Sequence, residues 1–287
     1  MNNIAQSFML TLFVGLTMGI GSLMSFLVSG KYKKLLSLSL SFSAGIMIYV
    51  SFMEMLPEGI HHIQEYIGED YSWVALLWFF SGMFITAVIE KFVHVFAGEF
   101  HDHGDHEHRH YTHGHTENHR HNHVESTLKK NNENGHLSKL SLMSAIAIGI
   151  HNIPEGLALF TLGINDISLA YPLAAAVVIH NIPLAVAISV PLVYSTGSKK
   201  KAFLYTILVG LMQPIGAVLG YVLLANFLNE LIFGILFSIV AGIMVFVSLD
   251  ELLPTALRGE DHHLSVYGAI AGMIVMAFAL SLFGHSH

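Results

Sequence analysis

The chain alternates between long apolar runs and polar connections. Eight runs reach the roughly 20 residues that a helix needs to cross a hydrocarbon layer of about 30 Å. They cover approximately residues 6–28, 35–56, 72–96, 140–163, 169–194, 202–225, 231–254 and 264–284. None has the alternating pattern of an outer-membrane barrel strand, so helices are the remaining structure that satisfies the backbone in lipid. The pattern predicts an all-α integral membrane protein with eight transmembrane helices.

Composition supports this prediction and limits the chemistry. Hydrophobic residues make up 53% of the chain and charged residues 11%, with a mean hydropathy of +0.60, which excludes an ordinary soluble domain. The absence of cysteine excludes disulfides and thiolate metal sites and leaves nitrogen and oxygen ligands. The first run lacks the charged flank and cleavage site of a signal peptide, so we expect it to be retained as a helix.

Basic residues predict the orientation of the helices. With eight spans, the connections after spans 1, 3, 5 and 7 lie on one side of the membrane, and all 13 lysines and arginines lie in or next to them. The connections after spans 2, 4 and 6 contain none. By the positive-inside rule, this places the protein in the cell membrane with both termini outside and the basic loops in the cytoplasm.

Residues 98–138 form a loop of a different composition. The loop carries eleven histidines, interspersed with acidic residues, and has no apolar periodicity. Those proposed to bind metal are His101, His103, His106, His108, His110, His113, His115, His119, His121 and His123. We expect a disordered cytoplasmic loop that binds zinc-like ions at several weak sites. The alternative is a solvated linker whose histidines have no specific role.

Two related hexapeptides lie inside spans 4 and 5. Residues 151–156 read HNIPEG and residues 180–185 read HNIPLA. The first and fifth positions share one helix face, so the first copy presents an imidazole and a carboxylate together. Each proline removes an amide hydrogen and predicts a kink with a free carbonyl oxygen. A charged group near the bilayer centre costs about 2.5–3.5 kcal/mol, so Glu155 needs compensation. The two segments together predict a cation site.

A second pair of motifs indicates an inverted repeat. Residues 51–57 and 248–254 both fit S-x-x-E-x-L-P and end spans 2 and 7, which cross the membrane in opposite directions. Spans 4 and 5 also cross the membrane in opposite directions. This pattern relates spans 1–3 to spans 6–8 and span 4 to span 5, an arrangement common in secondary transporters.

These motifs resemble those of the ZIP (Zrt/Irt-like) family of divalent metal transporters. The resemblance rests on residues 151–156, 180–183 and 213–216, on the segments around Glu54 and Glu251, and on the histidine-rich loop. It covers essentially the whole chain. It implies eight helices in a 3+2+3 arrangement, with metal held between spans 4 and 5 and carried toward the cytoplasm.

The resemblance also assigns residues to the metal sites. His151, Glu155 and His180 fall on the primary site, and Asn152, Asn181 and Gln213 fall on a second site that shares Glu155. The chain departs from the family at residues 183–185, which read PLA instead of the usual PEG, and at Gln213, where a glutamate is usual. Two adjacent divalent ions need several carboxylates to offset their repulsion, so we expect one tightly held metal.

Further acidic residues are candidates for the pathway. Glu54 would lie at the entrance and Asp250 with Glu251 at the exit, although carboxylates near the lipid headgroups explain these residues equally well. Glu90 and His94 are also four residues apart, and an interfacial helix end is the favoured interpretation.

The expected function is secondary transport of Zn²⁺ by alternating access. Fe²⁺, Mn²⁺, Co²⁺ and Cd²⁺ also suit nitrogen and oxygen ligands. We expect no organic cofactor and no enzymatic activity. The expected partners are divalent ions and the lipid bilayer, and no nucleic acid. A homodimer is possible.

Three alternatives remain at this point. A membrane-embedded zinc hydrolase would also need a buried zinc site, but the chain has no H-E-x-x-H motif and no second cluster for an oxyanion. A receptor would bind metal without moving it. An efflux carrier would move it in the other direction.

Overall fold

The computed structural model describes residues 3–27, 32–98, 145–146, 148–224, 229–258 and 262–283. The ten loop histidines between His101 and His123 lie outside these residues, so the predictions made for them are not addressed by the fold.

Within the described residues, eight helices occupy the predicted spans. Their bounds are Asn3–Ser25 (α1), Tyr32–Val50 continued by Leu56–Ile67 (α2), Ser72–Gly98 (α3), 148–165 (α4), Ile167–Thr196 (α5), Lys199–Gly210 continued by Met212–Leu224 (α6), Glu230–Val247 continued by Leu253–Leu257 (α7) and His262–Phe283 (α8). Seven are long and apolar enough to cross a membrane, and α4 is the eighth helix. The described residues contain no strand. The protein is therefore the predicted all-α membrane protein.

Polar caps set the starts of several helices. The Asp166 side chain accepts a hydrogen bond from the Ser168 amide at the start of α5, and Ser198 accepts one from the Lys201 amide at the start of α6. These bonds satisfy amides that have no partner within the helix. Hydrogen bonds from the Ser168 hydroxyl and amide also hold the pKa of the exposed Asp166 carboxyl below its usual value. The connections on either side of α5 are short.

Each S-x-x-E-x-L-P motif contains a π-helical segment. Ser51–Met55 interrupts α2, and Ser248–Leu252 interrupts α7. The first serine of each segment donates a hydrogen bond to the carbonyl four residues earlier, at 2.6 Å in α2 and 2.7 Å in α7. In both helices a proline follows in the first turn of the next α-helical part. Amides at this position have no acceptor within that part, so proline's lack of an amide hydrogen costs little.

The packing follows the same internal symmetry. Helix α2 packs on α8 as α3 packs on α7, and α1 packs on α6 across a glycine contact. At that crossing, a Cβ atom on Gly15 would lie 2.4 Å from the Gly210 carbonyl oxygen, and one on Gly210 would lie 2.2 Å from that of Gly15. Gly59, late in α2, lies beside Gly234, early in α7, so these two related helices run antiparallel. The predicted inverted repeat is confirmed.

Helices α4 and α5 lie between the two three-helix repeats. Helix α5 contacts α1, α2, α6 and α8. It contains Pro172, Pro183 and Pro191 yet remains helical throughout. The Ser43 hydroxyl of α2 donates a 2.9 Å hydrogen bond to the His180 carbonyl, one turn before Pro183. The free carbonyl oxygens that the hexapeptide prolines predict belong to Ile150 and Ile179, four residues before Pro154 and Pro183, and they remain predictions.

Candidate metal centre

Three ionisable side chains meet where α4 faces α5. His151 and Glu155 project from α4 and are each 3% exposed, and His180 projects from α5 and is fully buried. The Nε2 atom of His180 lies 3.0 Å from Oε1 of Glu155. His151 is close enough to both to interact with them electrostatically. Of the three residues assigned to the primary site, the structure brings His180 and Glu155 into contact and places His151 near them, although the donor atoms of all three do not lie within 4.8 Å of one another.

Most of the donor atoms in this cluster have no hydrogen-bond partner. They are both ring nitrogens of His151, both ring nitrogens of His180 and Oε1 of Glu155. The approach of His180 to Glu155 is within ion-pair distance but does not meet hydrogen-bond geometry. A buried polar atom left unsatisfied costs about 1–3 kcal/mol, and native proteins rarely leave several together. Two imidazoles and a carboxylate are ligands that zinc prefers, so the cluster has the chemistry of a cation site.

Carboxamides from three helices surround the cluster. Gln213 of α6 donates a 2.7 Å hydrogen bond through Nε2 to Oε2 of Glu155. Asn181 donates to the Gln213 side-chain oxygen at 3.4 Å, so the second amide supports the first. These two hydrogen bonds hold the Glu155 carboxylate in one orientation, in which Oε1 points away from the amides and toward His180.

The two asparagines occupy equivalent places in the repeat. Asn152 donates to the Val209 carbonyl at 3.0 Å, and Asn181 donates to the Val14 carbonyl at 3.5 Å. These valines directly precede the paired glycines of α6 and α1. The side-chain oxygens of both asparagines are buried without a hydrogen-bond donor. Each is therefore available to a cation or to water.

Met18 also lines this region and was missed from the sequence. Its sulfur lies 3.5 Å from Nδ2 of Asn152, and its side chain is fully buried. Met18 follows Gly15 by three residues, as Gln213 follows Gly210. Alignment of α1 with α6 would have identified it, but a methionine in an apolar run carries no signal of its own.

Close backbone contacts hold the helices that carry the cluster. A Cβ atom on Gly21 of α1 would lie 2.2 Å from the Ile182 carbonyl oxygen, and one on Gly216 of α6 would lie 2.0 Å from that of Ile153. Both carbonyls belong to the residue just before a hexapeptide proline. Glycine is required here because any side chain would separate α1 from α5 or α6 from α4.

The predicted pathway residues lie in the two π-helical segments. Glu54 is partly buried in the segment of α2, and Asp250 and Glu251 occupy the segment of α7. Glu251 interacts electrostatically with Asp250 and with Glu90 of α3, and its Oε2 atom is buried without a hydrogen-bond partner. Glu90 of α3, for which the sequence favours an interfacial helix end, thus lies close enough to α7 to interact with Glu251.

Comparison with known proteins agrees with this architecture. The family model described as ZIP Zinc transporter matches residues 3–280. A protein of Clostridium perfringens described as Zinc transporter ZupT is 45% identical over 284 residues, which are 99% of this chain and 98% of that protein. Proteins of the same description from Streptococcus mutans and Chlorobium chlorochromatii are 43% and 42% identical, over 96% and 98% of this chain and 97% and 99% of their own lengths. The chain belongs to the ZIP zinc transporter family.

Proposed function

We propose that this zinc transporter family member moves Zn²⁺ into the cytoplasm by alternating access through the cluster of His151, Glu155 and His180. The observation that carries the proposal is the buried group of nitrogen and oxygen donors that lack hydrogen-bond partners within the protein. A cation is the ligand that such a group stabilises best.

The composition of the site suits transport better than permanent binding. Two imidazoles and one carboxylate provide three ligands, and a zinc site with three protein ligands keeps a position open for water or another oxygen. The amide oxygens of Asn152 and Asn181, which are buried without a hydrogen-bond donor, are candidates for that position. A closed four-ligand site would hold its ion for longer than a transport cycle allows.

The hydrogen-bond pattern supports a single ion. Gln213 directs its NH₂ group at Glu155, so the second carboxylate that a two-metal site would need is replaced by a hydrogen-bond donor. Glu155 then supplies one negative charge against the two positive charges of one ion. A second divalent ion within a few ångströms would face strong uncompensated repulsion.

The membrane potential supports the inward direction. With the usual negative interior, a divalent cation gains about 4.6 kcal/mol per 100 mV on entering the cell, which is twice the value for a single charge. The distribution of lysine and arginine places the α7 π-helical segment on the cytoplasmic side. Asp250, Glu251 and Glu90 would then receive the ion as it leaves the central cluster.

Zinc flux into proteoliposomes tests the proposal. With a negative interior potential, the wild-type protein should accumulate Zn²⁺, and Glu155→Ala should reduce uptake to that of empty liposomes. Glu69→Gln, which alters an exposed carboxyl group, is the matched control and should transport normally. Binding without flux in the wild type would indicate a receptor, and normal flux in Glu155→Ala would exclude the central site.

A further inference from the structure

A separate group of metal-ligating side chains lies far along the chain from the central cluster, at the end of α2. His61, His62 and Glu65 each offer one donor atom, and all three atoms lie within 4.8 Å of one another. His61 and Glu65 are exposed, whereas His62 is buried. His61 and Glu65 are four positions apart and His62 and Glu65 are three apart, so the end of one helix brings the three side chains together.

His62 is held in a fixed orientation. Its ring stacks on Phe237 of α7 at 5.9 Å between centroids with an interplanar angle of 9°, and it also contacts Phe233 at 5.7 Å. Its Nδ1 atom lies 2.5 Å from Oε2 of Glu230, at the start of α7. A carboxylate that holds one ring nitrogen of a histidine is the usual outer partner in zinc sites, where it orients the other nitrogen toward the metal.

The other ring nitrogen of His62 faces a second carboxylate. Nε2 is buried and forms an ion pair with Oε1 of Glu58 at 3.3 Å, without the geometry of a good hydrogen bond. Two ligands of one tetrahedral zinc ion, each 2.0–2.1 Å from the metal, are about 3.3 Å apart. The 3.3 Å separation of His62 Nε2 from Glu58 Oε1 therefore also fits two ligands of one ion.

We propose that His62, His61 and Glu65, with Glu58 as a fourth ligand, form a second site for zinc-class divalent ions, distinct from the central cluster. Two imidazoles favour zinc, cobalt or nickel over magnesium and calcium, which prefer oxygen. His61 and Glu65 are exposed, so their side chains can move as the donor atoms close around an ion. Glu230, at the start of α7, contacts His62. The occupied site would therefore link the end of α2 to the start of the related helix α7.

Residue-specific protection of His61 tests this site despite the many other histidines. Purified full-length protein is treated with diethylpyrocarbonate, with and without Zn²⁺, and modification of His61 is followed by mass spectrometry. Zinc at about ten times the dissociation constant should slow modification about tenfold, and Mg²⁺ should not. Glu65→Gln should remove most of the protection, whereas Glu69→Gln, an exposed carboxyl change nearby on the chain, should preserve it.

Protection of His61 should persist in Glu155→Ala, because the site does not depend on the central cluster. Equal modification rates with and without Zn²⁺ would overturn the proposal and leave His62 as a histidine paired with two carboxylates. Protection that Glu65→Gln leaves unchanged would also overturn it. Neither result bears on transport through the central site, so the two proposals can fail separately.

Discussion

Gln213 donates a 2.7 Å hydrogen bond to Glu155, so the residue in α6 that would supply a second metal carboxylate instead supports the first. This contact contributes to stabilising the buried carboxylate of Glu155 in its membrane span. It also predicts how the site should respond when its charge is changed.

Gln213→Glu should create a site for a second ion. Two carboxylates in close contact repel each other and would favour a bound cation between them. The number of zinc ions bound per protein should therefore rise by one relative to the wild type, as measured by equilibrium dialysis and metal analysis. Gln213→Ala removes the hydrogen bond without adding charge and should not raise the number. An unchanged ratio in Gln213→Glu would show that Gln213 does not determine how many ions bind.

Zinc binding at the central cluster should weaken as the pH falls from 7 to 5. Ordinary histidines take up a proton near pH 6.5, and a protonated imidazole cannot coordinate metal. Protons and zinc therefore compete for imidazole ligands, and the apparent affinity should fall as the pH decreases. Zinc-dependent uptake measured over this range, at a fixed membrane potential, gives the dependence. Affinity independent of pH would argue against ligation by imidazole.

The architecture was largely predictable from the sequence because lipid imposes simple constraints. Eight apolar runs gave eight helices, and the paired S-x-x-E-x-L-P motifs identified the inverted repeat. The end of α2 was placed at residue 56, whereas the helix continues to Ile67 through the polar segment Leu56–Ile67. This segment has too many polar residues to register as part of an apolar run. The π-helical segments depend on backbone hydrogen-bond register, which hydropathy does not report.

The site was predictable only where residues carry distinctive chemistry. His151, Glu155 and His180 stood out because imidazoles and carboxylates are expensive in a membrane span. Met18 did not, since its role depends on a fold that places it beside Asn152. The group around His62 was missed because its partner Glu230 is 168 residues away in sequence and on another helix. Tertiary contacts of this kind leave no local pattern.

Gly216→Ala should destabilise the protein and reduce transport. Its new methyl group would lie 2.0 Å from the Ile153 carbonyl oxygen, so α6 and α4 would have to separate, at a cost of about 1–3 kcal/mol. The melting temperature in detergent and zinc uptake should both fall. Gly149→Ala is the matched control on α4, because the nearest neighbouring atom, Cγ of Met212, would be 3.6 Å from its methyl group. Equal melting temperatures for the two variants would show that the contact at Gly216 is not required.

Deletion of residues 101–123 should alter the rate or regulation of transport and leave part of it intact. The loop histidines are expected to bind metal weakly and in exchange, outside the membrane spans. Zinc uptake by the deletion variant, compared with wild type at equal amounts of protein in the membrane, measures this contribution. Complete loss of uptake would mean that the loop is part of the transport pathway itself.

The central claim is that His151, Glu155 and His180 bind the same zinc ion. Anomalous diffraction at the zinc edge from zinc-soaked crystals tests it most directly. The account predicts a single strong peak between α4 and α5, about 2.0–2.2 Å from a nitrogen of each histidine and an oxygen of Glu155. Zinc peaks elsewhere in the protein, with none between these three side chains, would contradict it.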